Sequence, residues 1–142
     1  MTDPTMPQTV EAAEAELHDE HRALRDMVGR VQAAEDVITL APLLDELHPL
    51  LQLHFAHEEY PGGLYDRLGT QAPQFRHDVR QLVDEHFRML SMIRGLAVRA
   101  RTPGDDEPAE ILDEARRLVA WLADHERREH AMARAAREDL ES

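Results

Sequence analysis

The chain has 142 residues, enough for one domain with a single sizeable core. Its 29 acidic and 16 basic residues leave a formal charge of −13, which excludes a basic stripe along nucleic-acid phosphates and argues against adsorption to anionic membranes. Cysteine is absent, so disulfides, thiolate nucleophiles and Cys-based zinc or iron–sulfur sites are excluded as well.

The opening "MTDPTMPQTV" has neither the positive end nor the apolar stretch of a secretory signal, and no apolar run approaches the about 18 residues of a membrane span. A cytoplasmic protein is expected. Residues 1–8 read as a flexible tail and residues 9–140 as one domain. No β-type alternation interrupts it, and four helical segments follow in order. The first is predicted from about Thr9 to Glu35. The second starts near Pro42, a favourable first-turn residue, and ends at "YPGG" (60–63); Pro49 inside it predicts a kink. The third runs from about Pro73 to Arg101, where "TPGDDEP" (102–108) stops it, and the fourth from Pro108 to about Leu140. Asp105, Asp106 and Glu107 precede the last helix and suit the positive end of its dipole. The 60–73 connection is long for a helix–helix loop and has room for a short helical piece around "GLYDRL". The expected fold is an all-α, antiparallel up-down-up-down four-helix bundle.

The buried seam of a bundle helix follows alternating steps of three and four residues. That spacing selects Leu17, His21, Leu24, Val28 and Val31 on the first helix, and Leu44, Leu47, Leu51, His54 and Glu58 on the second. It selects Val79, Val83, His86, Leu90, Ile93 and Ala97 on the third, and Ile111, Ala115, Leu118, Leu122, His125, Glu129, Met132 and Ala136 on the fourth. Each helix thus places one histidine on its apolar seam near its midpoint, and two helices add a glutamate four residues later. In an antiparallel bundle the midpoints share one level, so the six groups are expected in one slab of the core. A single inward histidine is most simply a satisfied core residue. Four at one level with two seam carboxylates are better explained by a metal, because an unpaired buried carboxylate costs several kcal/mol. The metal ligands predicted are therefore His21, His54, Glu58, His86, His125 and Glu129. His48 and His77 are expected in solvent, while His18, His57 and His130 flank the seam as supporting or surface residues.

Imidazole and carboxylate without thiolate suit iron, zinc, copper or nickel. The His-x3-Glu pair occurs twice, and residues i and i+4 project together, so each pair grips a metal from one side. The order His21, His54-x3-Glu58, His86, His125-x3-Glu129 resembles the hemerythrin-like (HHE cation-binding) domains, as do the contexts "EHRAL", "HFAHEEYPGGLYDRL", "DEHFRML" and "DHERREH". The resemblance covers about residues 10 to 138. It implies a four-helix bundle around two non-haem iron ions, bridged by carboxylates and an oxo or hydroxo group.

The oxygen-carrying hemerythrins have a histidine pair on the third helix, where this chain has Leu82 and Leu90 flanking His86 at four residues. Their last pair is spaced H-x4-D, whereas here it is H-x3-E with His130 at the fifth position. Four histidines and two bridging glutamates supply about eight of the roughly twelve bonds that two six-coordinate irons take. A further bridge leaves about two positions open, as catalysis requires. The resemblance implies a protein that binds or reacts with dioxygen or a related small molecule, in oxygen or redox sensing, storage or detoxification. The alternatives are a di-iron enzyme that removes hydrogen peroxide or nitric oxide, and a structural or iron-sensing bundle without redox chemistry. A diatomic molecule or peroxide is the expected partner, with no nucleic acid and no membrane.

Overall fold

A computed structural model of the chain describes residues 9–141, and the expected tail at residues 1–8 lies outside them. The described residues are all-α, without a strand: α1 (Val10–Glu16), α2 (His18–Ala33), α3 (Val37–Glu59), α4 (Leu64–Gln71), α5 (Arg76–Arg101) and α6 (Pro108–Glu141), with a 3-10 turn at Pro73–Phe75. No helix among them is long and apolar enough to cross a membrane.

The first predicted helix is two helices. Neither glycine nor proline breaks it; buried Leu17 closes α1 with a tightened turn, its N–H donating to Glu14 O at 3.2 Å, and α2 restarts with His21 N bonded to Leu17 O. Tertiary packing decides the break, because α1 leans on α4 and α6 rather than continuing along α3. The helix expected from Pro42 starts earlier, at Val37. Asp36 caps it, its carboxylate accepting from Thr39 N–H at 2.7 Å. The helix then passes through Pro42 and Pro49 without interruption. The piece suggested around "GLYDRL" is α4.

Helices α2, α3, α5 and α6 pack in a ring, each against the next and α6 back against α2. Polar contacts link their ends. Glu20 at the start of α2 meets His54 and His57 near the end of α3, while Arg101 at the end of α5 pairs with Asp45 near the start of α3. Arg99 near the end of α5 pairs with Glu114 near the start of α6, and Arg116 of α6 donates to Ala34 O just beyond α2.

The apolar interior is in two parts. One cluster holds Leu24, Leu44, Leu51, Phe55, Met89, Ile93, Leu118 and Leu122. The other, beneath α1 and α4, holds Val10, Leu17, Leu64, Tyr65, Leu68, Leu82 and Ala133. On α5 the fully buried line is Leu82, His86, Met89, Ile93 and Leu96; Val79, Val83 and Leu90, expected on that seam, are only partly buried. Polar groups occupy the layer between the two clusters.

Candidate metal centre

All six residues expected as ligands come together. His54, Glu58, His86, His125 and Glu129 are buried, and His21 is half-buried. The donors form two groups, His21–His54–Glu58–Glu129 and Glu58–His86–His125–Glu129, each with its ligand atoms within 4.8 Å of one another. Glu58 and Glu129 belong to both. Glu58 turns Oε2 toward His54 Nε2 (3.3 Å) and Oε1 toward His86 Nε2 (3.4 Å). Glu129 turns Oε1 toward His21 Nε2 (3.8 Å) and Oε2 toward His125 Nε2 (3.3 Å). Each carboxylate therefore presents one oxygen to each side. The i, i+4 spacing on α3 and α6 makes this possible, since histidine and glutamate leave one helix face together.

The electrostatics describe a layer short of positive charge. Burial, then repulsion from neighbouring His54, lowers the His21 pKa to about 4. Burial, then His125, lowers that of His86 to about 3, and burial lowers His54. These rings are neutral near pH 7, as ligation requires. Burial and the charge of Glu129 push Glu58 well above the usual carboxylate range. Burial also pushes Glu129 upward, but hydrogen bonds from Glu58 and His125 outweigh it and hold Glu129 low. The opposed shifts come from two carboxylates buried together, a crowding that a cation would relieve. Glu58 Oε2 and His21 Nε2 are buried without a hydrogen-bond partner. Orphaned donors of this kind, converging on one another, fit a bound cation.

The family model of the hemerythrin HHE cation-binding domain matches residues 12–134. The chain belongs to this family. No curated protein and no solved structure matches it.

The hemerythrin domain adds one group to the site that periodicity could not select. Tyr65 of α4 is buried, and its hydroxyl donates to Glu129 Oε2 at 2.7 Å and lies 2.8 Å from His86 Nε2 and 3.4 Å from His125 Nε2. Of the histidines it reaches His86 and His125, and it also lies 3.5 Å from Glu58 Oε1. The available signal was the run Leu64, Tyr65, Leu68, an apolar face on a short helix inside the long connection. Three carboxylates off the seams also reach the histidines: Glu20 lies 2.9 Å from His54 Nδ1, Glu59 2.9 Å from His86 Nδ1, and Glu85 3.4 Å from His125 Nδ1.

The remaining histidines of this hemerythrin domain mostly lie as expected. His57 shares Glu20 with His54, His130 bonds Glu14 at 2.9 Å, and His18 and His77 are exposed. None of these four joins the donor groups. His48 corrects the expectation of a solvated residue: it is half-buried with Nε2 out of water. Its neighbour Leu47 points fully into the core, and the turn brings the His48 ring partly in with it.

Proposed function

We propose that this chain is a non-haem di-iron protein that binds or reacts with dioxygen or a related small molecule, in oxygen or redox sensing, storage or detoxification. Its frame is an antiparallel up-down-up-down bundle of α2, α3, α5 and α6, to which α1 and α4 are added. The pairing of helix starts with helix ends described above supports that frame. The observation carrying the metal reading is the sharing of Glu58 and Glu129 between two donor groups. Glu58 and Glu129, with one oxygen toward each group, could serve two ions at once, so His21 and His54 would hold one and His86 and His125 the other. Tyr65 would offer a phenol oxygen to the second. Family membership favours iron over the other metals that imidazole and carboxylate accept.

Bound iron would supply reversible one-electron chemistry at a small ligand. The chain's own contribution is access and positioning. A groove of about 1170 Å³ beside α1, α2 and α6 reaches inward to His21 and Glu129. On the opposite side, Phe55 stacks on His86 with ring centroids 3.7 Å apart, and Tyr65 closes the space. An external molecule thus approaches from the His21 side. The groove also favours the second reading, an enzyme that removes peroxide or nitric oxide, because turnover needs a path in and out.

Metal analysis with absorption spectra before and after reduction tests the proposal. Two irons per chain and a reducible oxidised spectrum that responds promptly to azide are expected. Peroxide consumed over many turnovers would select the enzyme reading. A loaded protein inert to reductant, azide and peroxide would leave only a structural metal.

A further inference from the structure

The two halves of the donor set are not built alike. Three of the four histidines have the ring nitrogen pointing away from the site held by a carboxylate: His54 by Glu20, His86 by Glu59 and His125 by Glu85. Such a partner keeps the proton on Nδ1, aims the Nε2 lone pair inward and fixes the ring plane. The braces are themselves anchored. Glu85 receives two hydrogen bonds from the Arg128 guanidinium, at 2.5 and 2.7 Å, and one from Trp121 Nε1 at 3.0 Å. Glu20 also meets His57 Nδ1 at 2.5 Å. His86 is additionally clamped by the Phe55 ring lying parallel to it.

His21 has no such brace; its ring makes an edge contact with His54, ring centroids 4.6 Å apart. Among the described residues no carboxylate braces its outer nitrogen; the carboxylates it meets, Glu58 and Glu129, are on the inner side at 4.0 and 3.8 Å. Its side chain is 21 % exposed, on the wall of the groove. The neighbouring groove residue Arg25 bonds only its backbone oxygen. A ring free on its outer side loses more rotational freedom on ligating than a ring already locked.

We infer that the two ion positions differ in strength: the one framed by His86, His125, Glu58 and Glu129 fills first and holds its ion tightly, while the one on the His21 and His54 side is the exchangeable position, loaded and emptied through the groove. The inference rests on the two-ion reading above. The second ion meets a first cation nearby and carboxylates already partly neutralised, which widens the difference.

The test is an anaerobic titration of metal-free protein with Co(II), followed by visible absorption and calorimetry. Two steps of one equivalent each are expected, separated by at least about tenfold in affinity, with exchangeable ring N–H resonances from His86 and His125 shifted at the first. His21→Ala should keep the tight step within about threefold and lose the weak one. Glu59→Gln and Glu85→Gln should weaken the tight step by about 10–100-fold and move the corresponding ring N–H signal. Two equivalents bound with one affinity would overturn the inference, as would loss of the tight step in His21→Ala with its retention in His86→Ala; in either case the two-ion reading stands. Uptake of no ion, or of a single one, would overturn the two-ion reading together with the inference.

Discussion

Glu126 lies one turn before Glu129 on α6, its Oε1 buried without a partner. Burial, then the charge of Glu129, raises its pKa from 4.5 to about 7. With the folded value above the unfolded one, its contribution to stability is fully present below pH 4.5 and is lost as pH rises through about 7. In the metal-free protein, Glu126→Gln should match the parent below that window and exceed it above, by on the order of 1–2 kcal/mol once solvent screening is allowed for. Urea unfolding at several pH values measures it, and a constant difference across the window would contradict the assignment. The ligand positions allow a sharper test. Glu58→Ala should abolish stoichiometric metal uptake, since Glu58 is buried and shared by both donor groups, His54→Ala should cost one of the two ions, and exposed His77→Ala should leave uptake intact. Equal metal content in all three variants would remove the centre from these residues.

At the scale of elements, α4 is held in place by a glycine. A Cβ on Gly63 would meet His57 O at 2.5 Å, Tyr60 O at 2.9 Å and Glu58 O at 3.0 Å, all backbone atoms at the end of α3 that have no freedom to retreat. Gly63 N–H also donates to Tyr60 O at 2.8 Å, closing the turn that starts α4. Gly63→Ala should therefore push α4 outward and carry the Tyr65 hydroxyl off Glu129 and His86, at a cost of roughly 1–3 kcal/mol. Gly69, in the same helix, faces open space. Gly69→Ala should be neutral or stabilise by up to about 1 kcal/mol through helix propensity alone. Chemical denaturation of the two variants compares a packing constraint with an intrinsic preference in one eight-residue element.

Across the whole molecule, a polar layer divides two apolar clusters, so the centre of the bundle is its least self-sufficient part. A cation bound only by the folded state stabilises it by mass action, by about 2.7 kcal/mol at a hundredfold excess over Kd. Metal loading should then raise Tm by roughly 5–10 °C, and acid should reverse the gain by protonating ligand histidines. Differential scanning calorimetry of the metal-free and loaded forms decides this. Equal Tm values would mean that the layer satisfies itself through its internal hydrogen bonds.

What the sequence determined by itself was the inward face of each long helix around its histidine, although on α5 Val79, Val83 and Leu90 of that seam are only partly buried. That face follows from a 3.6-residue repeat within one segment, so His21, His54, His86 and His125, with Glu58 and Glu129, were legible without knowledge of any neighbour. Their common height followed from similar helix lengths. The Asp36 cap was equally local, though the more conspicuous Pro42 masked it. Other features depend on residues distant in sequence that no periodicity links. Leu17 breaks a helix without any breaker residue because α1 packs against α4 and α6. Glu20, Glu59 and Glu85 lie off the seams and acquire a role only where a histidine of the adjacent helix turns its outer nitrogen toward them. Tyr65 reaches the layer because a glycine turn folds α4 back over it. The division of Glu58 and Glu129 between two donor groups likewise depends on four helices meeting at one level. A helical repeat specifies direction about one axis, whereas a shared ligand requires the relative position of several axes, which packing alone supplies.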